Sequence, residues 1–373
     1  MSTLEVNGFL DYFEDLEDHR LDRKKFYPIN EILLTTLLSI ICGADSWNDI
    51  ELFGKAKIDY LRRHLPYANG VPSDDTFRRF FRRINPEEFR SRFVQWMKNF
   101  PLPEDVIISL DGKVSRHTFD GDEKAALHMV SAFASEMKLV LAQMAVPDKT
   151  NEIKAIPELL EWLDIQGAII TIDAMGCQRE IAQKIIDKGA DYVLALKGNQ
   201  GHLSADIDKL FTEKDLREGF GYEEYQTVDG EHGRIETRRC RVILTPNVLV
   251  QRHNWPGLKS VVEVYSIREL KDKTEEEKRY YLTSLPQDAQ KLNYAIRQHW
   301  GIENSLHHVL DISFRDDDSR IRKGNAPENI AIIKHAALNL LQRSKRPRES
   351  IKGLRKVAAW DETRLTEIFT KIL

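Results

Sequence analysis

Short apolar runs alternate with amphipathic segments between residues 106 and 196, and this alternation limits the folds open to the chain. VIISLD (106–111), AIITID (168–173) and YVLAL (192–196) are continuous apolar runs of the kind found in strands buried on both faces. Two further strand-like runs, LHMVSAFAS and KLVLAQMAV, follow the first, and NEIKAIPELLEWL and CQREIAQKIIDKG have helical patterns. Three strands followed by helix–strand–helix–strand predict a mixed sheet flanked by helices, an α+β fold.

This order of elements is the one found in the ribonuclease-H-like fold, and the rest of the chain is arranged around it. Residues 1–98 are predicted to form an all-helical N-terminal domain. The sheet domain is predicted in two parts, 99–198 and 290–345, separated by a β-rich insertion at 199–289 whose segments are bounded by glycines. Residues 346–373 are predicted to be a basic C-terminal tail ending in a short helix.

The composition is that of a globular protein. The 373 residues are 42% hydrophobic and 31% charged, so disorder is not expected to dominate. No window approaches 18 uncharged apolar residues, and the first thirty residues do not resemble a secretory signal, so no membrane partner is expected. Three widely spaced cysteines provide no disulfide framework. A reducing, cytoplasmic location is therefore the expectation.

Positive charge is concentrated in two regions although the net charge is −4. Residues 55–98 carry 11 lysines and arginines against five acids, and the chain from Arg315 onwards carries 14 against eight. Within the first region, TFRRFFRRI turns three phenylalanines inward and Arg78, Arg79, Arg82 and Arg83 outward on a predicted helix. Such a helix fits a helix-turn-helix-like DNA module and fits a generic helical bundle about equally well.

Residues 290–314 predict one long helix with a single broad apolar face. Ile296, Ile302, Leu306 and Leu310 belong to that face, and Glu303 projects from within it. A charged carboxylate in such a position costs several kcal/mol unless a positive group meets it. Glu303 is therefore predicted either to form a salt bridge or to be a metal ligand.

Two other carboxylates end apolar strands. Asp111 closes VIISLD and Asp173 closes AIITID, at the strand ends where α/β sheets build their sites. Each is alternatively an ordinary surface acid at a turn. With Glu303 they are able to hold about two divalent cations, and an all-oxygen donor set favours Mg²⁺ or Mn²⁺ over Zn²⁺. Two ions about 3.5–4 Å apart would support in-line phosphoryl transfer.

Several segments of the chain resemble the DDE transposases of bacterial insertion sequences, particularly the H-repeat-associated group. The resemblance covers nearly the whole chain and rests on LDGK, ITIDAMGCQ, LKGNQ, DGEHGRIETR and RQHWGIENSLHHVLDISFRDDDSR. It implies that 99–198 and 290–345 form a ribonuclease-H-like catalytic domain with a triad at Asp111, Asp173 and Glu303. It also implies two Mg²⁺ or Mn²⁺ ions, double-stranded DNA as substrate, and Mg²⁺-dependent cleavage and joining of transposon ends. A homodimer or higher multimer associated with the nucleoid is a further implication.

The sequence departs from many relatives around Glu303. Those relatives have Tyr, Arg and Lys at seven and four residues before the glutamate and seven after it, where this chain has Ile296, His299 and Leu310. His299 retains a possible phosphate contact, whereas Leu310 does not. Arg297, His307 and Arg320 are candidates to replace the missing cations. A mononuclear site built from His299, Glu303 and His307 is an alternative, although it leaves both aspartates unused.

Other polar residues are weaker candidates for contacts to DNA. Lys197 and Asn199 follow a predicted strand and are expected either to reach phosphates or simply to form a polar turn. His232, Arg234 and Arg238 in the insertion are candidates for contacts to the DNA backbone. Two alternatives to a transposase remain open at this point: a catalytically inactive, transposase-derived DNA-binding protein and a metal-dependent, structure-specific nuclease.

Overall fold

The chain is described by a computed structural model that covers residues 8–20, 25–119, 125–147, 151–213, 219–231, 234–270 and 273–370, with the backbone alone at 199, 231 and 234. Its central feature is one mixed β-sheet. The strands are β1 (Ile107–Ser115), β2 (Leu127–Ala134), β3 (Leu139–Val146), β4 (Ile169–Ile172), β5 (Asp191–Leu196), β6 (Glu223–Glu231), β7 (Arg234–Leu244), β8 (Ser260–Glu269) and β9 (Thr274–Thr283). They are arranged in the order β3-β2-β1-β4-β5-β9-β8-β7-β6.

Helices surround this sheet and account for both ends of the described chain. They are α1 (Ile29–Ile41), α2 (Trp47–Ala56), α3 (Ile58–Leu61), α4 (Asp74–Arg83), α5 (Pro86–Met97), α6 (Glu152–Trp162), α7 (Arg179–Asp187), α8 (Gly201–Thr212), α9 (Asn247–His253), α10 (Ala289–His299), α11 (His308–Phe314), α12 (Ala326–Ser344), α13 (Ile351–Trp360) and α14 (Glu362–Thr370). The predicted mixed α+β class, with a large sheet flanked by helices, is confirmed.

The first five strands occur in the predicted order, with α6 and α7 between β3, β4 and β5. The β1, β2 and β3 strands are antiparallel neighbours, whereas β4 and β5 run parallel to β1. The parallel strands are buried throughout their apolar spans, which explains their uninterrupted runs of isoleucine, valine and leucine.

One strand boundary was predicted wrongly. The sequence analysis ends the first strand at Asp111, but β1 continues to Ser115 because residues 111–115 pair with β2. The parallel pairing of β1 with β4 does stop at this point, at Leu110 opposite Ile172. Asp111 therefore marks the end of the parallel ladder and not the end of the strand.

The strands of the predicted insertion lengthen the same sheet. β9 pairs antiparallel with β5, with Leu196 opposite Tyr280, and β8, β7 and β6 follow it outwards. Residues on β9 are thereby brought beside the carboxyl end of β5, although about 85 residues separate the two in the sequence. The insertion thus contributes directly to the edge of the site described below.

The two faces of the sheet are covered by different elements. On one face, Ile107, Ile169 and Val193 pack with Leu292 and Ile296 of α10, in a cluster that also includes residues of β7 and β8. On the opposite face, the alternate residues of the same strands belong to the large core shared with the remaining helices. Strand alternation places Ser109 and Asp111, two and four residues after Ile107, towards the α10 side.

The N-terminal helices share the large core with the sheet, and α1, α4 and α5 pack against α12. Ser46 and Asp49 form a capping box at the start of α2. Before α1, the predicted all-helical domain has only a 3₁₀ turn at Leu10–Phe13 among its described residues. Phe9 and Leu16 are buried together with that turn.

The three cysteines are all free, and Cys177 and Cys240 are buried. No helix among the described residues is long and apolar enough to cross a membrane.

Candidate active site

Asp111 and Asp173 occupy matching positions on neighbouring parallel strands. Each follows directly after the last paired residue of the β1–β4 ladder, Leu110 and Ile172. One step earlier in the register, Ser109 lies opposite Thr171, and the two hydroxyls are hydrogen bonded at 3.0 Å. Because side chains alternate along a strand, both carboxylates belong to the face that α10 covers. The two aspartates are therefore neighbours at the end of the parallel ladder, on the side of the sheet that α10 covers.

Glu303 follows α10, at the point where the helix changes its geometry. Regular α-helix ends at His299, and Glu303–His307 forms a π turn in which the amide of His308 bonds to the carbonyl of Glu303. Ile302 and Leu306 remain buried, as predicted, but Glu303 is exposed. Its predicted position within the apolar face is wrong, since the prediction assumed one uninterrupted helix. Such π turns frequently occur at functional sites.

The three carboxylates line one open cavity of about 1010 Å³. Its walls come from the end of the parallel β1–β4 ladder, from the carboxyl end of β5, from β9 and from the α10–α11 segment. The other polar side chains that line it are Lys197, Ser204, Glu277, Lys278, Arg279, Tyr280, Tyr281, His299, Trp300, His307, His308 and Asp311.

The electrostatics of this cavity favour the binding of a cation. Burial, together with the negative charges of Asp173, Glu152 and Glu303, raises the pKa of Asp111 to about 7. In the part of the chain that the structure describes, no lysine or arginine forms an ion pair with Asp111, Asp173 or Glu303. The amide of Gly112 donates to Asp111, and those of Met175 and Gly176 donate to Asp173.

The donor chemistry suits a hard divalent ion, although the side chains are not gathered around a single point. Three oxygen donors with uncompensated charge match the preference of Mg²⁺ and Mn²⁺. Among the described residues, however, no three His, Cys, Asp or Glu side chains are arranged closely enough to hold a metal ion. The carboxylates thus fit such an ion in type and charge, and their binding of it requires a movement of side chains.

Two histidines on either side of Glu303 also line the cavity. His299 Nδ1 lies 3.0 Å from the hydroxyl of Thr171, and the bonded hydroxyls continue through Ser109 to Ser135. His307 Nδ1 lies 3.7 Å from an oxygen of Asp111. Burial lowers the pKa of each histidine to about 4, so both rings are neutral at pH 7. They offer hydrogen bonds but no positive charge.

A second group of charges lies beside this cavity, and its acids have lysine partners. We call it the paired cluster: Lys113, Asp311, Asp316, Asp317 and Lys334. Lys113 Nζ lies 2.7 Å from Asp311, 3.4 Å from Asp316 and 3.3 Å from Asp317, while Lys334 lies 2.7 Å from Asp316. Burial would raise the pKa of Asp316, but the two lysines hold it well below its usual range. The cluster ties β1 to the segment after Glu303.

The residues that were candidates to replace the missing cations lie in different places in the structure. Lys197 is exposed and lines the cavity, whereas the side chain of Asn199 lies outside the described residues. Arg297 is 2.6 Å from Asp229 and lines a separate cavity between α10 and β6, so its predicted place beside Glu303 is wrong. Arg320 is exposed and does not line the carboxylate cavity.

The predicted DNA-contacting arginines also separate into groups. Arg78, Arg79, Arg82 and Arg83 are exposed along α4, as their alternation with buried phenylalanines predicts, and the first two contact Asp75. In the insertion, His232 and the side chain of Arg234 lie outside the described residues. The prediction for Arg238 is wrong. It shares a strand face with buried residues of β7, and its Nε donates to Asn293 at 3.0 Å.

Sequence reasoning missed the contribution of β9. Arg279, Lys278 and Tyr281 line the cavity, and Arg279 lies over the ring of Trp300 at 4.6 Å. Trp300 itself is only partly buried. No local pattern marks these residues, because their position depends on the pairing of β9 with β5. Lys113 had a usable signal, since it lies two residues after Asp111 on the same strand face.

Comparison with known proteins identifies the class to which this fold and site belong. Residues 102–340 match the family described as "Transposase DDE domain", and residues 10–97 match the family described as "DDE_Tnp_1-associated". The chain belongs to the DDE transposase domain family.

Among individual relatives, the chain is similar to proteins of Escherichia coli. It is 41% identical over 371 residues to "Putative transposase YncI" of E. coli O157:H7, with 98% of this chain and 95% of that protein covered. It is 37% identical over 372 residues to "H repeat-associated putative transposase YhhI" of strain K12, with 98% of each covered. A solved structure of the piggyBac transposase synaptic complex with hairpin DNA aligns with 95% of this chain and 75% of that one, at 14% identity and a TM-score of 0.46.

Proposed function

We propose that the chain is a metal-dependent DNA transposase that cleaves and rejoins strands at the ends of its element. The observation that carries this proposal is the shared cavity of Asp111, Asp173 and Glu303, three carboxylates without a lysine or arginine partner among the described residues. Membership of the DDE transposase domain family supports it. We propose that these three residues form the catalytic triad within a ribonuclease-H-like core.

The chemistry follows from the charge of the site. Asp111, Asp173 and Glu303 would together hold Mg²⁺ or Mn²⁺, two ions being the expected number for this reaction. When bound, such ions make an attacking oxygen more nucleophilic and stabilise the leaving oxygen in phosphoryl transfer. Asp111 must lose its proton to take part, because burial and its acidic neighbours raise its pKa to about 7. The amides that bond to Asp111 and Asp173 orient their carboxylates.

The neutral histidines have a positioning role in this proposal. His299 is bonded through Thr171 to Ser109, which links the α10 helix to both aspartate-bearing strands. That linkage holds the segment before Glu303 against the ends of β1 and β4. His307 lies on the other side, within 3.7 Å of Asp111. Both rings lie beside the carboxylates and add no charge that would compete with a cation.

Double-stranded DNA is the proposed substrate, and exposed cations provide candidate contacts to it. Lys197 at the rim of the cavity would contact a phosphate near the reacting strand. Arg78, Arg79, Arg82 and Arg83 on α4 would contact the backbone farther away. Because two element ends must be brought together for joining, we propose that the chain acts on DNA as a homodimer or larger multimer, associated with the nucleoid.

The test uses the full chain, Mn²⁺, a duplex carrying the terminal sequence of the element and a separate supercoiled target. A transposase is expected to nick the end duplex at one position and to join the released 3′-hydroxyl end to the target. Joined products are detected by labelling the end duplex and following the label into the target on a denaturing gel. Omission of the divalent ion and use of a scrambled end sequence are the controls.

Two other outcomes would replace the proposal. Cleavage without joined products, even when a pre-cut 3′-hydroxyl end is supplied, would indicate a structure-specific nuclease. Specific binding with a steep salt dependence but no cleavage would indicate a transposase-derived DNA-binding protein. Both alternatives are distinguished from the proposal in the same set of reactions.

A further inference from the structure

The catalytic cavity has few sources of positive charge for the phosphate of a DNA strand. Its lining includes three histidines, His299, His307 and His308. The α10–α11 segment contributes no lysine or arginine to the lining. Among the described lining residues, the cations are Lys197, Lys278 and Arg279. They lie after β5 and on β9, on the side of the cavity formed by the insertion.

Arg279 differs from the two lysines in how firmly it is held. Its Nε donates to Glu277 at 2.7 Å, and its guanidinium lies over the ring of Trp300 at 4.6 Å from the centroid. About a third of the side chain, 33%, remains exposed. By contrast, Lys278 is divided between Asp208 and Glu263, at 4.0 and 3.9 Å, and Lys197 is exposed at a turn.

The contact with Trp300 connects Arg279 to the third carboxylate. Trp300 precedes Glu303 by three residues on the same segment, and the ring of His299 beside it is also close to Arg279, whose positive charge helps to keep that ring neutral. Arg279 is therefore fixed relative to Glu303 through a stacked ring. A guanidinium whose Nε is occupied still has the N–H groups of its two terminal nitrogens, which match the geometry of a phosphate.

We propose that Arg279 of β9 binds the phosphate at which the DNA strand is cut, and that the insertion thereby supplies the phosphate-binding cation of the site. This inference rests on the proposed function, since it assumes that DNA enters the carboxylate cavity. Trp300, Glu277 and Tyr281 contact the guanidinium and leave some of its N–H groups for the phosphate oxygens. Lys278 and Lys197 would contact neighbouring phosphates less specifically.

The test asks whether Arg279 contacts the scissile phosphate. It measures the affinity of the chain for DNA in the absence of divalent ions. The end duplex is made with a native phosphate or an uncharged methylphosphonate at the scissile position. For the unchanged chain, the methylphosphonate is expected to weaken binding about tenfold, as for the loss of a charge-assisted contact. Arg279→Ala should bind native DNA about tenfold more weakly and should be insensitive to the methylphosphonate.

Matched controls identify the contact. Arg268→Ala removes an arginine of β8 that contacts Glu236 and does not line the cavity, and it should keep the tenfold sensitivity. A methylphosphonate placed five linkages inside the end should weaken all variants equally. Arg279→Lys should recover part of the affinity for native DNA. The inference is overturned if Arg279→Ala retains the full sensitivity at the scissile position.

A parallel cleavage reaction with Mn²⁺ separates this inference from the proposed function. If the unchanged chain cuts and Arg279→Ala cuts at the same rate, the assignment of Arg279 fails while the transposase proposal stands. If the unchanged chain does not cut, but the binding measurements show that Arg279→Ala is insensitive to the methylphosphonate, the Arg279 contact stands and the catalytic proposal fails. If the unchanged chain cuts and the binding measurements show the coupling, Arg279→Ala is expected to cut about 100-fold more slowly than the unchanged chain.

Discussion

Two groups of acidic residues lie side by side in this protein, and they differ in whether the acids have cationic partners. Asp311, Asp316 and Asp317 form ion pairs with Lys113 or Lys334 in the paired cluster. Asp111, Asp173 and Glu303 line an open cavity, and in the described chain none of them has a lysine or arginine partner. We call these three the open cluster.

The pKa values reflect this difference. The pKa of Asp111 is raised to about 7 by burial and neighbouring acids, whereas the lysines hold that of Asp316 below its usual range despite burial. An acid that is paired within the chain stabilises the fold as soon as it forms. An acid left without a partner destabilises the fold until a ligand arrives. We therefore propose that the paired cluster stabilises the fold and that the open cluster serves function.

The largest predicted effect concerns the open cluster. Asp111→Asn, Asp173→Asn and Glu303→Gln are each expected to lower Mn²⁺-dependent nicking by about 10³-fold or more, because each removes a charge on which cation binding depends. DNA binding should change little. The measurement is single-turnover cleavage of the end duplex together with a binding titration. Asp318→Asn, an exposed acid in the nearby loop, is the control, and full activity in any triad variant would refute the assignment.

The next effect concerns the paired cluster. Lys113→Met is expected to lower the free energy of unfolding by about 3 kcal/mol, because it leaves several acids with one lysine in a largely buried site. Urea denaturation measures it, with the exposed Lys209→Met as the control. Equal stability of the two variants would mean that the paired cluster contributes nothing to the fold. A second substitution, Asp311→Asn, in the Lys113→Met background should recover part of the loss.

Many of the elements that form these clusters could be predicted from the sequence, because they depend on local patterns. The period-two and period-3.6 patterns predicted β1 to β5 with α6 and α7 in the correct order, and they located the two aspartates beside the parallel strands. Where a strand ends and which face of a helix is apolar depend mainly on the burial of residues that are close in sequence. The candidate acids could be identified from the sequence because they stand next to such patterns.

The features that sequence reasoning missed depend on distant contacts. The β1 strand extends past Asp111 because β2 supplies a partner for polar residues that locally resemble a turn. Arg279 reaches the cavity through the pairing of β9 with β5. The π turn at Glu303–His307 breaks the regular helical period, so a projection at 100° per residue placed Glu303 on the wrong face. None of these features has a local signature.

The third prediction concerns how stability depends on pH when no divalent ion is present. The pKa of Asp111 is about 7 in the fold and near 4 when unfolded, so its protonated form favours the fold below pH 4. That contribution is lost as pH rises through 7. Asp111→Asn removes this dependence. The free energy of unfolding of Asp111→Asn, relative to that of the unchanged chain, should therefore increase by about 2 kcal/mol between pH 5 and pH 8.5. Urea denaturation in a chelator at both values measures it.

The control for the third prediction is Asp318→Asn, an exposed substitution outside both clusters. The same pH range distinguishes the two clusters. Because the pKa of Asp316 is lowered in the fold, its contribution is lost only on acidification, below the range used here. If the free energies of unfolding of Asp111→Asn and the unchanged chain differed by the same amount from pH 5 to pH 8.5, this would contradict the raised pKa of Asp111.

The smallest predicted effect is stabilisation by the cation itself. Mn²⁺ at about five times its Kd is expected to raise the free energy of unfolding of the unchanged chain by about 1 kcal/mol at pH 8, since it binds only the folded state. Asp111→Asn and Glu303→Gln should lose this gain, whereas Asp317→Asn in the paired cluster should keep it. Calorimetric unfolding with and without Mn²⁺ provides the measurement. A gain that is lost in Asp317→Asn but kept in Asp111→Asn would reverse the comparison, because it would place the cation in the cluster that already has its lysines.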